Sequence, residues 1–259
     1  MMKNTILFTS PLEQFEIMPI ISFCFGSLDF SITNETIILF LIIFFVSTFF
    51  LSSFKPSDST FFIVPHRWQV IVEMIYKMVL SMITDNISGK KGQLFFPLIF
   101  SIFFFFMCVN LIGLVPYSFT LTSHLVVTFA LSIAIFIGIN IICIRLHGLE
   151  FFSLFFPAGT SLGLAFLLVP IEIISYVFRP ISLGVRPFAN MMAGHTLLKV
   201  IAGFAWTLMS CTGILFLAHY IPLLILLPLF GLELAVALIQ AFVFSVLTCI
   251  YLNDAINLH

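Results

Sequence analysis

The sequence predicts an all-α, polytopic membrane protein with about five spanning helices, a surface amphipathic helix and a long, tilted C-terminal helical hairpin. Three observations carry that prediction. Of the 259 residues, 61% are hydrophobic and only 8% charged, where soluble domains carry about a quarter. The apolar residues gather into runs of the length a helix needs to cross about 30 Å of hydrocarbon. Half of all Lys and Arg (Lys55, Arg67, Lys77, Lys90 and Lys91) fall in one polar segment, whereas the stretch after Pro157 has no charged loop at all.

Each element follows in order. Residues 1–9 contain Lys3 and a short mixed apolar patch, which is not a secretory signal. Asn34-Glu35-Thr36 matches a glycosylation sequon, but three-residue matches are common by chance. The first span is expected over 36–54. Residues 66–88 read as a helix on the membrane surface, with Trp68, Ile71, Val72, Ile75, Val79 and Met82 at helical spacing and Glu73, Lys77 and Asp85 on the polar side. Gly89 and Gly92, around Lys90-Lys91, end it. The second and third spans occupy 94–147, separated by the neutral loop 117–123 and closed by Arg145, His147 and Glu150. Positive-inside reasoning sets the basic segment on the cytoplasm or matrix side and residues 1–35 opposite. No repeat or linker is visible, so one membrane domain spans 1–259.

The last hundred residues read as a hairpin, 160–255, made of helices near 160–211 and 221–255. At about 1.5 Å per residue the first would be roughly 75 Å long, far more than the bilayer core. It must tilt or bend, and Pro170, Pro180 and Pro187 supply the breaks, with Pro228 in the second helix.

Ionisable groups in this apolar stretch are its most informative feature: Glu172, Arg179, Arg186, His195, Lys199, Glu233 and Asp254. Each costs about 2.5–3.5 kcal/mol at a helix centre on insertion scales, and membrane proteins spend that on moving ions, protons or charged substrates. Salt bridging between helices is the bland alternative. Glu172, Arg179 and Arg186 recur every seven residues, and Asn190 lies one turn past Arg186. Such spacing keeps them on one stripe. Glu233, Gln240 and Asp254 form a second stripe. Folding the helices antiparallel pairs His195 with Glu233 nearest the turn, Arg186 with Gln240 in the middle, and Glu172 with Asp254 farthest away. Imidazole titrates near neutrality and passes protons, whereas the Arg186 guanidinium keeps its own. A fixed cation between two proton-handling clusters blocks a straight leak and attracts a carboxylate from another protein.

The five cysteines (Cys24, Cys108, Cys143, Cys211 and Cys249) are far apart and suggest packing rather than disulfides. The 35 Phe suggest codon bias in an AT-rich genome such as an organelle's. A net charge of -1 argues against a nucleic-acid partner. No GxxxxGK[ST] motif is present, so ATP chemistry is not expected in this chain. His124 and His219 sit at loop edges and read as interfacial caps, Lys199 as snorkelling to an interface. Paired metal-ligand spacing is lacking, and no metal or cofactor is expected.

The run from Arg179 to His195, RPISLGVRPFANMMAGH, resembles the signature of the subunit a family of F-type ATP synthases in its mitochondrial form. So does ELAVALIQAFVFSVLTCIYLND from Glu233 to Asp254. NLIGLVPYSF at 110–119, FFSLFFPAGT at 151–160 and SPLEQFEI at 10–17 extend the likeness over nearly the whole chain. The resemblance implies a non-catalytic, proton-translocating stator subunit of the mitochondrial inner membrane, N-terminus towards the intermembrane space and C-terminus towards the matrix. Its partners would be a c-subunit ring, the other membrane and peripheral-stalk subunits, and lipid. It implies that Arg186 faces the ring, with Asn190 and Gln240 as polar neighbours. His195 and Glu233 would line the path from the intermembrane space, Glu172 and Asp254 the path to the matrix. Residues 1–9 would be a leader removed on maturation. Two departures stand out: Pro187 follows the key arginine where many members have Leu, and Arg179 takes a place that is Lys or Arg in some.

Rival readings fare worse. A haem-bearing subunit like cytochrome b needs histidine pairs about two heptads apart on facing helices, and the spacings here do not match. A lone secondary transporter usually shows internal repeats. A sodium-driven version of the same machine would declare itself in the ring's carboxylate site.

Overall fold

A computed structural model describes residues 12–25, 28–53, 67–87, 91–115, 118–148, 151, 162–210 and 214–257. The expected leader lies outside them. Seven α-helices occur among the described residues: α1 (Asn34–Ser53), α2 (Arg67–Asn86), α3 (Lys91–Gly113), α4 (Leu125–His147), α5 (Leu162–Ser210), α6 (Ile214–Ala218) and α7 (Tyr220–Ile256). Five of them, α1, α3, α4, α5 and α7, are long and apolar enough to cross a membrane. The protein is all-α, with two small antiparallel pairings among the described residues before α1. There β1 (Pro19–Ile21) pairs with β4 (Ile32–Thr33), and β2 (Cys24–Phe25) with β3 (Leu28–Asp29).

The middle of the bundle is α3. Of its spanning window 39% is buried, against 6% for α1, so α1 offers nearly all its apolar surface to lipid or to neighbours. Phenylalanine builds the centre. Phe106 meets Phe244 of α7 with ring centroids 4.1 Å apart. On the other side, Phe96, Phe100 and Phe104 stack at 5.5 and 6.2 Å, because residues four apart share a helix face. Phe49 and Phe50 of α1 close on Phe104 at 5.6 and 4.7 Å. Whatever its coding origin, the Phe excess has a packing use. Cys108, Cys143 and Cys249 are buried free thiols.

Amphipathic α2 uses its apolar face in two ways. Val79, Met82 and Ile83, in its C-terminal half, are buried in the core shared with α3 and α7. Trp68 and Ile71, in its N-terminal half, are exposed, as a helix anchored in the headgroup boundary requires.

The hairpin is built from α5 and α7, with short α6 inside the turn expected near 212–222. Helix α5 runs unbroken through Pro170, Pro180 and Pro187. Gly184 presses it onto α4: a Cβ there would lie 3.1 Å from Phe129 Cα and 3.2 Å from the Thr128 carbonyl oxygen. Small residues let membrane helices approach in this way. One turn before it the Ser132 hydroxyl donates to the Pro180 carbonyl across the same seam. These two contacts set where the side chains from Arg179 to Asn190 point.

Candidate functional site

Near the hairpin turn, α5 and α7 bring His195 and Glu233 together, Nε2 to Oε1 3.6 Å. Glu233 is buried and His195 half-buried. Gly194 makes the space: a Cβ there would fall 2.7 Å from Glu233 Oε1. Both carboxylate oxygens of Glu233 and the His195 Nε2 are buried without a hydrogen-bond partner. Buried polar atoms of this kind call for water or a mobile proton.

One turn deeper the apolar trio Leu114, Met191 and Ala237 closes the space. Beside it the Asn110 amide of α3 donates to the Ala237 carbonyl at 3.2 Å. The Asn190 amide donates to Gln240 Oε1 at 3.0 Å.

Arg186 lies between these groups and the far end of the hairpin. It is exposed, and among the described residues it makes no ion pair or hydrogen bond. Ser182, Ala189 and Ala193, at four before, three after and seven after, are exposed on the same stripe. Small side chains there leave the guanidinium standing proud of a flat face.

At the far end the Arg179 guanidinium donates to Asp254 Oδ2 at 3.2 Å. It is held between two rings, 5.3 Å from the Tyr176 centroid and 5.4 Å from that of Tyr251. The Tyr176 hydroxyl donates to Asn140 Oδ1. A small cavity of about 20 Å³, room for a single water, is lined by these groups with Phe136 and Cys143.

These pairings differ from the expected register at two of three levels. Gln240 is engaged by Asn190 rather than Arg186, because one helical turn rotates Asn190 by about 40° past Arg186, towards α7. Asp254 is engaged by Arg179 rather than facing Glu172. Half-buried Glu172 makes no hydrogen bond or ion pair among the described residues. Asp254's partner was legible in part, since Arg179 shares the seven-residue stripe, but spacing alone does not give a guanidinium's reach across the seam. Neither Asn110 nor the two tyrosines carried any signal in spacing. His124 precedes α4 without making a side-chain cap. It stacks on Phe119 at 4.9 Å, and its Nε2 is buried and unpartnered. Among the described residues no three potential metal ligands cluster.

Comparison with known proteins decides the family. The family model described as ATP synthase A chain matches residues 35–253. The chain belongs to that family. It is 50% identical to ATP synthase subunit a of Chondrus crispus over 258 residues, covering all of both chains. With subunit a of Pylaiella littoralis it shares 53% over 253 residues, 98% of this chain and all of the other. With that of Marchantia polymorpha it shares 51% over 252 residues, 96% and 99% of the two. Membership places the chain among membrane subunits that serve ATP synthesis by proton transport. Within the family frame the polar groups of α5 and α7 form three successive stations, at His195–Glu233, Asn190–Gln240 and Arg179–Asp254, with Arg186 unpaired beside the middle one.

Proposed function

We propose that this chain is the proton-translocating stator subunit of a mitochondrial inner-membrane ATP synthase, working through two offset half-channels against a ring of c subunits. The observation that carries the reading is Arg186: an exposed cation with no ion pair or hydrogen bond among the described residues, in the middle of a helix long and apolar enough to cross a membrane. An uncompensated guanidinium at bilayer depth is too costly to stand alone. It needs a carboxylate from outside the chain, and the small residues beside it give a partner helix room to bring one close.

Protons enter from the intermembrane space by way of His195 and Glu233 and load the ring carboxylate beside Arg186. Asn190 and Gln240 keep a polar environment around it. The ring turns through lipid, and the proton leaves towards the matrix past Glu172 and Asp254. Arg186 cannot give up its proton, so it bars direct passage between the two paths. One charge crossing 100 mV supplies about 2.3 kcal/mol, so several crossings combine for each ATP formed elsewhere in the complex. The subunit itself is non-catalytic. Residues 160–255 form the translocating hairpin of a single membrane domain, with N- and C-termini on the intermembrane-space and matrix sides. Its partners are the ring, the remaining membrane and peripheral-stalk subunits, and lipid, with no nucleic acid.

Proton flux and ATP synthesis in membranes carrying Arg186→Ala or Arg186→Lys test this. Both variants are expected to lose coupled synthesis, and Arg186→Ala to leak protons passively. Normal coupling in either would make the arginine structural and sink the reading.

A further inference from the structure

We propose that Phe15 is the positioning residue for His195: its ring fixes the imidazole towards Glu233. This rests on the reading of His195 and Glu233 as proton carriers. In the short turn Glu13–Phe15 and its continuation, the large apolar side chains face outwards: Leu12 is 51% exposed, Ile17 45% and Met18 55%. Phe15 alone turns in, at 9%. Its ring meets the His195 imidazole edge to face, centroids 6.4 Å apart and planes at 75°, the arrangement aromatic pairs prefer.

His195 needs such a contact. Histidines that handle protons are usually oriented by a hydrogen bond at one ring nitrogen. Among the described residues Nε2 of His195 has none, and 3.6 Å to Glu233 is too long to count. Packing is left to set the ring's torsion. Gln14, in the same turn, carries a buried amide nitrogen without a protein partner, which a local water would satisfy.

The turn is itself held. Asn34, the first residue of α1, donates its amide to the Glu16 carbonyl at 3.1 Å and accepts from the Met18 N–H at 3.3 Å. Its own backbone N–H donates to the Met18 carbonyl at 3.2 Å. These three bonds fix the chain just after Phe15 to the head of the first span. The sequon asparagine is thus a structural clamp, and Phe15 reaches His195 from a tethered segment.

The test uses the assembled complex in vesicles, reading ATP synthesis rate against the pH on the N-terminal side. Phe15→Ala, Phe15→Tyr, His195→Ala and the Phe15→Ala/His195→Ala double variant are compared with the parent. Phe15→Ala is expected to slow synthesis by up to about a hundredfold, the scale of an ångström's misplacement. It should also move the pH profile, with Phe15→Tyr restoring both and no further loss in the double variant. An unchanged Phe15→Ala, a slower one with an unmoved profile, or additive losses would overturn the proposal. Normal synthesis by His195→Ala would instead overturn the functional reading beneath it. Should Phe15→Ala fail to assemble, Asn34→Ala releases the turn with Phe15 still present, and the same shift in profile decides.

Discussion

The two ends of the hairpin hold an acid and a base in opposite ways. Near the turn, His195 and Glu233 have side chains only 13% and 5% exposed, sit 3.6 Å apart and share no hydrogen bond. At the other end, Arg179 and Asp254 are 28% and 41% exposed, lie 3.2 Å apart, and are hydrogen-bonded between two aromatic rings beside a small cavity. A buried carboxylate without donors is expensive to keep charged, so the first pair suits a group that takes and gives a proton. A guanidinium that never deprotonates makes the second pair a fixed clamp open to water. The hairpin thus combines a buried acid–base pair without hydrogen bonds and a half-exposed, hydrogen-bonded ion pair, so their substitutions differ in kind.

The largest effect is expected at the buried pair. Glu233→Gln keeps shape and volume but removes the exchangeable proton, and proton-driven synthesis should fall to background while the complex still assembles on native gels. Retained synthesis would show that the carboxylate is dispensable. Next comes Gly194→Ala, whose new methyl meets Glu233 Oε1 at 2.7 Å. The flexible carboxylate yields, so flux should drop several-fold with overpacking of about 1–3 kcal/mol at most. By contrast Gly184→Ala meets backbone of α4 and is expected to lower the amount of assembled complex rather than its turnover per complex. The smallest change belongs to the clamp. Partly exposed ion pairs contribute about 0–1 kcal/mol, and Lys retains the charge of Arg but not its planar stacking. Arg179→Lys should therefore keep assembly and most of the flux, and Arg179→Met should lose more. If Arg179→Lys were as damaging as Glu233→Gln, Arg179 would serve the proton path together with Asp254 rather than only hold it in place.

Much of this fold was legible because hydropathy is decisive in a membrane chain. The long apolar helices follow from where charges are absent, and α2 from charges set along one face of an apolar periodicity. The pairing of His195 with Glu233 was legible too: it is the one expected pair the structure brings together, at 3.6 Å. Farther out the reading failed for Arg186–Gln240 and Glu172–Asp254. Register there depends on how three prolines and the Gly184 contact orient α5, and a one-turn difference moves the partner from Arg186 to Asn190. The N-terminal pairings β1–β4 and β2–β3 left no trace in period-two patterning, because strands of two or three residues are too short to show one. Phe15 was hidden for another reason: one Phe among 35 is informative only once its burial is known.

The clamp at Asn34 has a consequence for the order of synthesis. Chains are made from the N-terminus, and folded units form as they emerge. The turn carrying Phe15 is tied to the head of α1 by bonds that need little beyond the first fifty residues. Glu233 lies in the last helix. The His195 site is therefore closed by an early-made piece that must wait, already shaped, for a late-made one. A chain cut short between His195 and Glu233 would present the aromatic edge and the imidazole without their acid. The His195–Glu233 pair is thereby complete only once translation has reached the last helix.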